Sequence, residues 1–198
     1  MKIIIVGASG TIGKQIVSAF EKEHEVIRVG SKSGDIQADI TDPASLENMF
    51  RQLKSFDALV SATGAAYFGP WEQTTDQEYR IGVNSKLMGQ VNLVLIGQHY
   101  INQKGSFTLT SGILSNDPVR GGSNASMVNG AINSFVKAAS VELKDGVRIN
   151  AVSPNVVEDS PEYFPFFPGE IPVAMKEVTA AYVKSVLGAA TGKVLEIH

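Results

Sequence analysis

The sequence predicts a doubly wound α/β fold, a parallel sheet with helices on both faces, in a single domain. Two observations carry that prediction. β-branched runs alternate with helically spaced apolar residues along nearly the whole chain. The first run, Ile3-Ile4-Ile5-Val6, ends in Gly7-Ala8-Ser9-Gly10-Thr11-Ile12-Gly13, which places three glycines where a strand hands over to a helix. The length, 198 residues, fits one domain with a full core and leaves little for a second.

The elements follow in order. Ile3–Val6 is apolar at every position, as in a strand covered on both faces. Ile12, Ile16, Val17 and Phe20 then recur at helical spacing. Glu25–Val29 and Ile36–Ile40 are the second and third strands. Asp42 is a candidate N-cap with Pro43 at the first helical position, and Leu46, Met49, Phe50 and Leu53 give that helix its apolar face. Asp57–Ser61 is the fourth strand, and a helical region is expected from about Asp76 through Ile101. Ser106–Thr110 is the fifth strand, Asn124–Leu143 a long helix and Val147–Val152 the sixth strand. Ser153–Ile171 contains four prolines and is expected to be irregular. Val173–Leu187 is helical, and Lys193–Ile197 forms the last strand.

Composition narrows the classes of function. The formal net charge is −3 and basic residues are dispersed, so nucleic acid is not an expected partner. There is no cysteine, which excludes disulfides, thiolate metal sites and a thiol nucleophile. No stretch approaches the roughly 20 apolar residues of a membrane helix, and the short run Ile3–Val6 is no signal-peptide core. A cytoplasmic protein with no membrane partner is the expectation. No His, Asp and Glu cluster has metal-ligand spacing, so no metal is expected.

The glycine turn has a physical purpose. A tight strand-to-helix turn needs backbone freedom, and a phosphate must come close to the main chain. The opening amides of the helix then face that anion with a partial positive charge. The alternative is a simple glycine turn.

The spacing G-x-x-G-x-x-G, Ala38-Asp39-Ile40-Thr41-Asp42, Leu59-Val60-Ser61-Ala62-Thr63-Gly64, Val147-Arg148-Ile149-Asn150-Ala151-Val152-Ser153-Pro154 and Thr191-Gly192-Lys193-Val194-Leu195 occur in sequence. Together they resemble the short-chain dehydrogenases/reductases, a family with a Rossmann-type fold. The glycine loop departs from the common family form: Val6 stands for Thr, and the middle glycine comes one position early. The resemblance implies a nicotinamide dinucleotide held by Gly7, Ser9, Gly10, Thr11, Ile12 and Gly13. It also implies adenine contacts from Asp39 and Ile40, and further cofactor contacts from Ala62, Thr63, Gly64 and Pro154.

Cofactor choice is expected to be made after the second strand, where an acid would bind a ribose 2′-hydroxyl and repel a 2′-phosphate. Ser31, Lys32 and Ser33 stand there instead, which favours NADP(H) over NAD(H), the alternative being a solvated polar turn. The family's Ser-Tyr-Lys engine is incomplete. Aligned through the long helix, Ala125 falls at the Tyr position and Asn129 at the Lys position. Ser111, beside Gly112, is the nearest serine, and Asn84 fits the supporting Asn, or else is a surface or capping residue. Tyr67 and Tyr163 are possible substitutes, or ordinary packing aromatics. The resemblance implies an oxidoreductase acting on a small carbonyl or alcohol, with Ser111, Asn84 and Asn129 as candidate catalytic residues. A catalytically degenerate NADP(H) sensor is the alternative. The resemblance also implies a homodimer or homotetramer paired through the two long helices. The substrate is not legible. Tyr163, Phe164, Phe166 and Phe167 in the short segment 155–171 form either an apolar lid or a loop tucked into the core.

Overall fold

In the computed structural model, which describes residues 1–198, the first apolar run is strand β1 (Lys2–Val6), and both of its faces are covered. Ile3 and Ile5 join a cluster with Ile16, Phe20, Val178 and Tyr182, while Ile4 and Val6 join a separate one with Phe50, Leu93, Ile132 and Val136. Successive side chains of a strand point to opposite faces, so an unbroken β-branched run serves two cores at once. Full burial of such side chains contributes about 1.5–3 kcal/mol each.

The remaining strands are β2 (Glu25–Gly30), β3 (Ile36–Gln37), β4 (Phe56–Ser61), β5 (Ile101–Thr110), β6 (Arg148–Pro154) and β7 (Val194–Ile197). They form one seven-stranded sheet in the order β3-β2-β1-β4-β5-β6-β7, with every neighbouring pair parallel. The chain runs outward from β1 through β2 to β3, then crosses back to β4 on the other side of β1. At that reversal the carboxyl ends of β1 and β4 open a crevice, the usual ligand position in such sheets.

The helices are α1 (Thr11–Phe20), α2 (Pro43–Leu53), α3 (Asp76–Gly82), α4 (Gly89–Gly97), α5 (Ser123–Glu142) and α6 (Met175–Leu187). Helices α1 and α6 cover the Ile3/Ile5 face, and α2, α4 and α5 cover the other. Asp42 caps α2 as expected: its Oδ1 accepts from the Ala44 amide at 3.0 Å, with Pro43 in the first turn.

Three expectations are corrected. The third strand stops at Gln37 rather than Ile40, because the Asp39 carboxylate accepts hydrogen bonds from Thr41 N (2.8 Å) and Oγ1 (2.7 Å) and turns the chain toward α2. The helical region from Asp76 ends at Gly97, not Ile101. Tyr100 N donates back to Gly97 O, its ring stacks on Phe50 at 5.5 Å, and Ile101 already pairs with Phe56 in the sheet. Within that region Val83–Met88, between α3 and α4, is π-helical. The proline-rich segment has more order than its composition implied. Its first two residues finish β6, Val157 bridges to Val173, and Pro161–Phe166 is a 3-10 helix opened by Pro161, a position that needs no amide donor.

Arg148 shows how a strand end can hold a helix end. Its guanidinium donates to Ser185 O and Val186 O, both at 2.8 Å, and so satisfies carbonyls that the last turn of α6 leaves unpaired. Hydrogen bonds from a charged donor contribute roughly 1.5–3 kcal/mol. Replacing Arg148 with Met is therefore expected to lower the unfolding free energy by about that amount, read from urea denaturation curves with an unchanged slope.

Candidate functional site

Two depressions meet along the carboxyl edge of the sheet. The first, of about 350 Å³, lies over the β1–α1 turn and is lined by Gly7, Ser9 and Gly10, by Ser31 after β2, and by Asp39, Ile40 and Thr41. Ala62, Thr63, Gly64 and Ala65, which follow β4, form its far wall. The same four residues form one wall of the second depression, of about 390 Å³, so the two join into a single trough.

The backbone of the first depression is brought together by the lack of side chains. A Cβ on Gly13 would stand 2.0 Å from Gly7 O, and one on Gly7 would stand 2.4 Å from Ala62 O. Only glycine permits α1 to sit this close to the end of β1, where Gly7 has φ of +84°. Gly10 caps α1 without a side-chain hydrogen bond, and the amides of Thr11, Ile12 and Gly13 have no partner within the chain. Three donors at a positive helix end fit a diphosphate. Asp39 remains a carboxylate, because the Thr41 hydroxyl and amide hold its pKa below the usual value.

The second depression is mostly apolar, with a few polar groups converging in it. Ser111 and Gly112 follow β5, Ala125 and Asn129 come from α5, and Pro154 ends β6. Ser111 and Asn129 are each 2% exposed, and Ser111 Oγ and Asn129 Oδ1 make no hydrogen bond within the chain. Buried polar atoms without partners are uncommon, and at a concave edge they are groups suited to a ligand. Tyr163 and Phe167 border the depression with Phe68, against which Tyr163 packs at 6.0 Å.

Lys86 also enters this depression, and nothing in the sequence reading pointed to it. It lies in the π-helical segment, and its Nζ donates to Ser111 O at 3.0 Å. A carbonyl neutralises no charge, and burial lowers the Lys86 pKa to about 8. The approach depends on Gly64, at φ +115°, where a Cβ would stand 2.5 Å from Lys86 Cα. One signal was present in the sequence: between Arg80 and Lys104 the only Lys, Arg, Asp or Glu is Lys86.

The expected residues divide accordingly. Gly7, Ser9, Gly10, Ser31, Asp39, Ile40, Ala62, Thr63 and Gly64 line the first depression. Ile12, Ser111, Asn129 and Pro154 line the second, with Ala125 buried beside them. Thr11 and Gly13 belong to the turn without lining either depression, and Lys32 and Ser33, both exposed, line neither. Asn84 is not brought together with Ser111 and Asn129. It is exposed and faces a different hollow, beside Arg80 and Met88, because the wider π turn directs Lys86 rather than Asn84 to the sheet edge. Tyr67 is likewise outside the trough: its amide donates to Asn124 Oδ1 and its ring lies over Gly69.

Comparison with known proteins agrees with this geometry. Residues 5–164 match a family model described as enoyl-(acyl carrier protein) reductase, a group within the short-chain dehydrogenases/reductases. A hydroxynaphthalene reductase of Aspergillus fumigatus is 26% identical over 155 residues, which are 75% of this chain and 57% of that protein. An uncharacterised oxidoreductase of Methylorubrum extorquens is 23% identical over 178 residues, 78% of this chain and 72% of that one. The chain thus spans little more than half the length of the hydroxynaphthalene reductases it matches. Among solved structures, the Listeria innocua protein lin1944 superposes with a TM-score of 0.98 at 47% identity, over 100% of both chains. A small-chain dehydrogenase in complex with NADPH superposes with a TM-score of 0.88 at 25% identity, over 100% of this chain and 96% of its own.

The shared wall is testable through its glycine. Gly64→Ala is expected to cost about 1–3 kcal/mol, from the strained backbone and the forced retreat of Lys86. Gly130→Ala, on α5 with nothing within 4 Å of the added methyl, is the control. It is expected to be neutral or stabilising by about 0.4–1 kcal/mol. Thermal unfolding of both variants reads the difference.

Proposed function

The chain belongs to the short-chain dehydrogenase/reductase family, and from that premise we propose that it is an NADP(H)-dependent oxidoreductase acting on a small carbonyl or alcohol. The observation that carries this reading is the single trough, which joins the glycine turn to the polar group around Ser111 through one wall, Ala62–Ala65. In this reading the amides of Thr11, Ile12 and Gly13 hold the diphosphate, and Asp39 and Ile40 border the adenine. The 62–65 wall guides the dinucleotide toward Ser111 and Asn129. The bound cofactor supplies the hydride. The chain's own residues position the substrate oxygen, with Ser111 Oγ as a donor to it, and exclude water with the apolar lining.

The preference for the phosphorylated cofactor rests on the turn after β2. Gly30 and Ser31 line the depression there, and Lys32 and Ser33 follow directly in the same exposed turn. The nearby acid, Asp35, is engaged on Arg28: its Oδ2 accepts from the Arg28 amide at 2.8 Å and lies 3.8 Å from the guanidinium. The relative solved with NADPH supports the same choice. The size of the second depression, about 390 Å³, and its short bordering segment favour a small substrate.

Ala125 and Asn129 favour a second reading, a protein that binds NADP(H) and reports it without turnover. One experiment separates the two. NADPH and NADH are titrated by cofactor fluorescence, and cofactor oxidation is then followed against a panel of small aldehydes and diketones. Saturable NADPH binding with turnover of at least one panel member is the expected result. Binding without any turnover establishes the sensor, and no binding of either cofactor removes both readings. Lys32→Glu is expected to weaken NADPH by about threefold to tenfold, with NADH changed by less than about twofold. Gly13→Asp is expected to abolish the binding of both.

A further inference from the structure

We propose that Lys86 is the proton donor of this site, delivering to the substrate oxygen the proton for which α5 offers only Ala125 and Asn129. The inference rests on the oxidoreductase reading above. It starts from a chemical gap. Adding a hydride to a carbonyl leaves negative charge on oxygen, and an acid must neutralise it. Ala125 has no proton to give, and Asn129 carries no charge at any working pH.

The geometry fills that gap from another element. The π-helical turn Val83–Met88 and the side-chain-free Gly64 bring Lys86 to the trough, where its amine is held 3.0 Å from Ser111 O. That bond uses one of three ammonium hydrogens and leaves two for a ligand. Ser111 Oγ and Asn129 Oδ1, both buried and unpartnered, line the same depression. An amine, a hydroxyl and an amide thus converge where a polarised oxygen would be held.

The surroundings keep this amine available. Lys86 and Tyr163 are the only titratable side chains lining the depression, and Tyr163 is 43% exposed at its rim. The segments packed around Lys86 contain no charged side chain: residues 62–66, residues 110–116 and the first ten residues of α5. On its own helix the nearest charge is Arg80, which is paired with Asp76. From the 154–160 segment, Glu158 and Asp159 are exposed and outside the lining. Behind the wall, Tyr182 is bonded to Thr110 Oγ1 and burial raises its pKa, so its hydroxyl stays neutral. With no carboxylate to hold its charge, the amine is a stronger acid than an ordinary lysine.

The step balances. The carbonyl carbon gains a hydride with its electron pair from the reduced cofactor, so the substrate is reduced and the cofactor oxidised. As the new O–H bond forms, an N–H bond of Lys86 breaks. The neutral amine regains its proton from solvent.

The test reads titration, cofactor binding and rate separately. Protein labelled at lysine Cε is titrated by NMR, with the Lys86 signal assigned through Lys86→Met. Diacetyl, a small diketone, and a panel of small aldehydes serve as substrates with NADPH. Lys86 is expected to titrate near 8, below the ordinary lysine value. Reduction needs the protonated amine, so its kcat/KM falls as pH rises through that same midpoint. Lys86→Met is expected to lower kcat/KM by about 10²–10⁴-fold and to lose the pH limb, while NADPH affinity stays within about threefold. Lys86→Arg keeps the charge and the packing but does not release a proton, and is expected to be as slow as Lys86→Met.

Three results overturn the assignment of Lys86 while leaving the cofactor reading intact. They are titration of Lys86 at the ordinary lysine value, a Lys86→Met rate within about threefold of the parent, and a parent that binds NADPH but reduces no panel member, the last of which also replaces the oxidoreductase by the sensor. A parent that binds no NADPH overturns the proposed function and this assignment with it. The NMR titration is made on the parent, so the result stands even if a variant folds poorly.

Discussion

The structure depends on how closely bare backbone can approach bare backbone at the reversal of strand order. Gly13 stands over Gly7, Gly7 stands against Ala62, and Gly64 stands against Lys86, and a single methyl group at any of the three would overlap its neighbour. The first contact seats α1 at the end of β1, the second draws the β4 loop beside that turn, and the third brings the middle of a long helical region to the same loop. The trough is what these approaches leave open. It follows from main-chain packing, with side chains adding its chemistry.

That chemistry sits on a rigid wall. Gln90 pairs with the end of β5 through both amide atoms, its Nε2 donating to Thr110 O and its Oε1 accepting from Thr110 N, each at 2.8 Å. The Thr110 hydroxyl donates to Ser61 O at 2.5 Å and lies 2.6 Å from the Tyr182 hydroxyl, so β5, β4 and α6 are tied together directly behind Ser111. Each neutral bond contributes only about 0.5–1.5 kcal/mol. Their larger effect is to hold the neighbouring Ser111 in one place, as a polar group in a mostly apolar depression must be held to be useful.

The family pattern and the structure diverge at one position, and the cause is local. A reading along α5 finds Ala125 and Asn129 where an acid and a cation are expected and concludes that the site is depleted. The fold supplies a cation from the other side, because a π turn in the preceding helical region changes which residue faces the sheet. The spacing Val83-Asn84-Ser85 pointed to Asn84, but an ordinary 3.6-residue periodicity does not hold across Val83–Met88. The family pattern located the element but not the side chain that enters the trough, and Asn84 takes the surface position that was its alternative.

Order and type of the elements, the two-sided burial of β1, the cap of α2 by Asp42 and the glycine turn were all legible in the sequence. Each depends on residues within a few positions of one another: β-branched runs, turn chemistry and capping are local effects. What lay beyond the sequence was decided by contacts between distant segments. The start of β5 at Ile101 beside Phe56 and the entry of Lys86 past Gly64 toward Ser111 join positions far apart in the chain. The sequence alone therefore determined a dinucleotide-type α/β scaffold with a loop suited to phosphate. Only the tertiary structure decided which polar groups share its trough, because side chains separated by tens of residues meet only when the packed backbone brings them together.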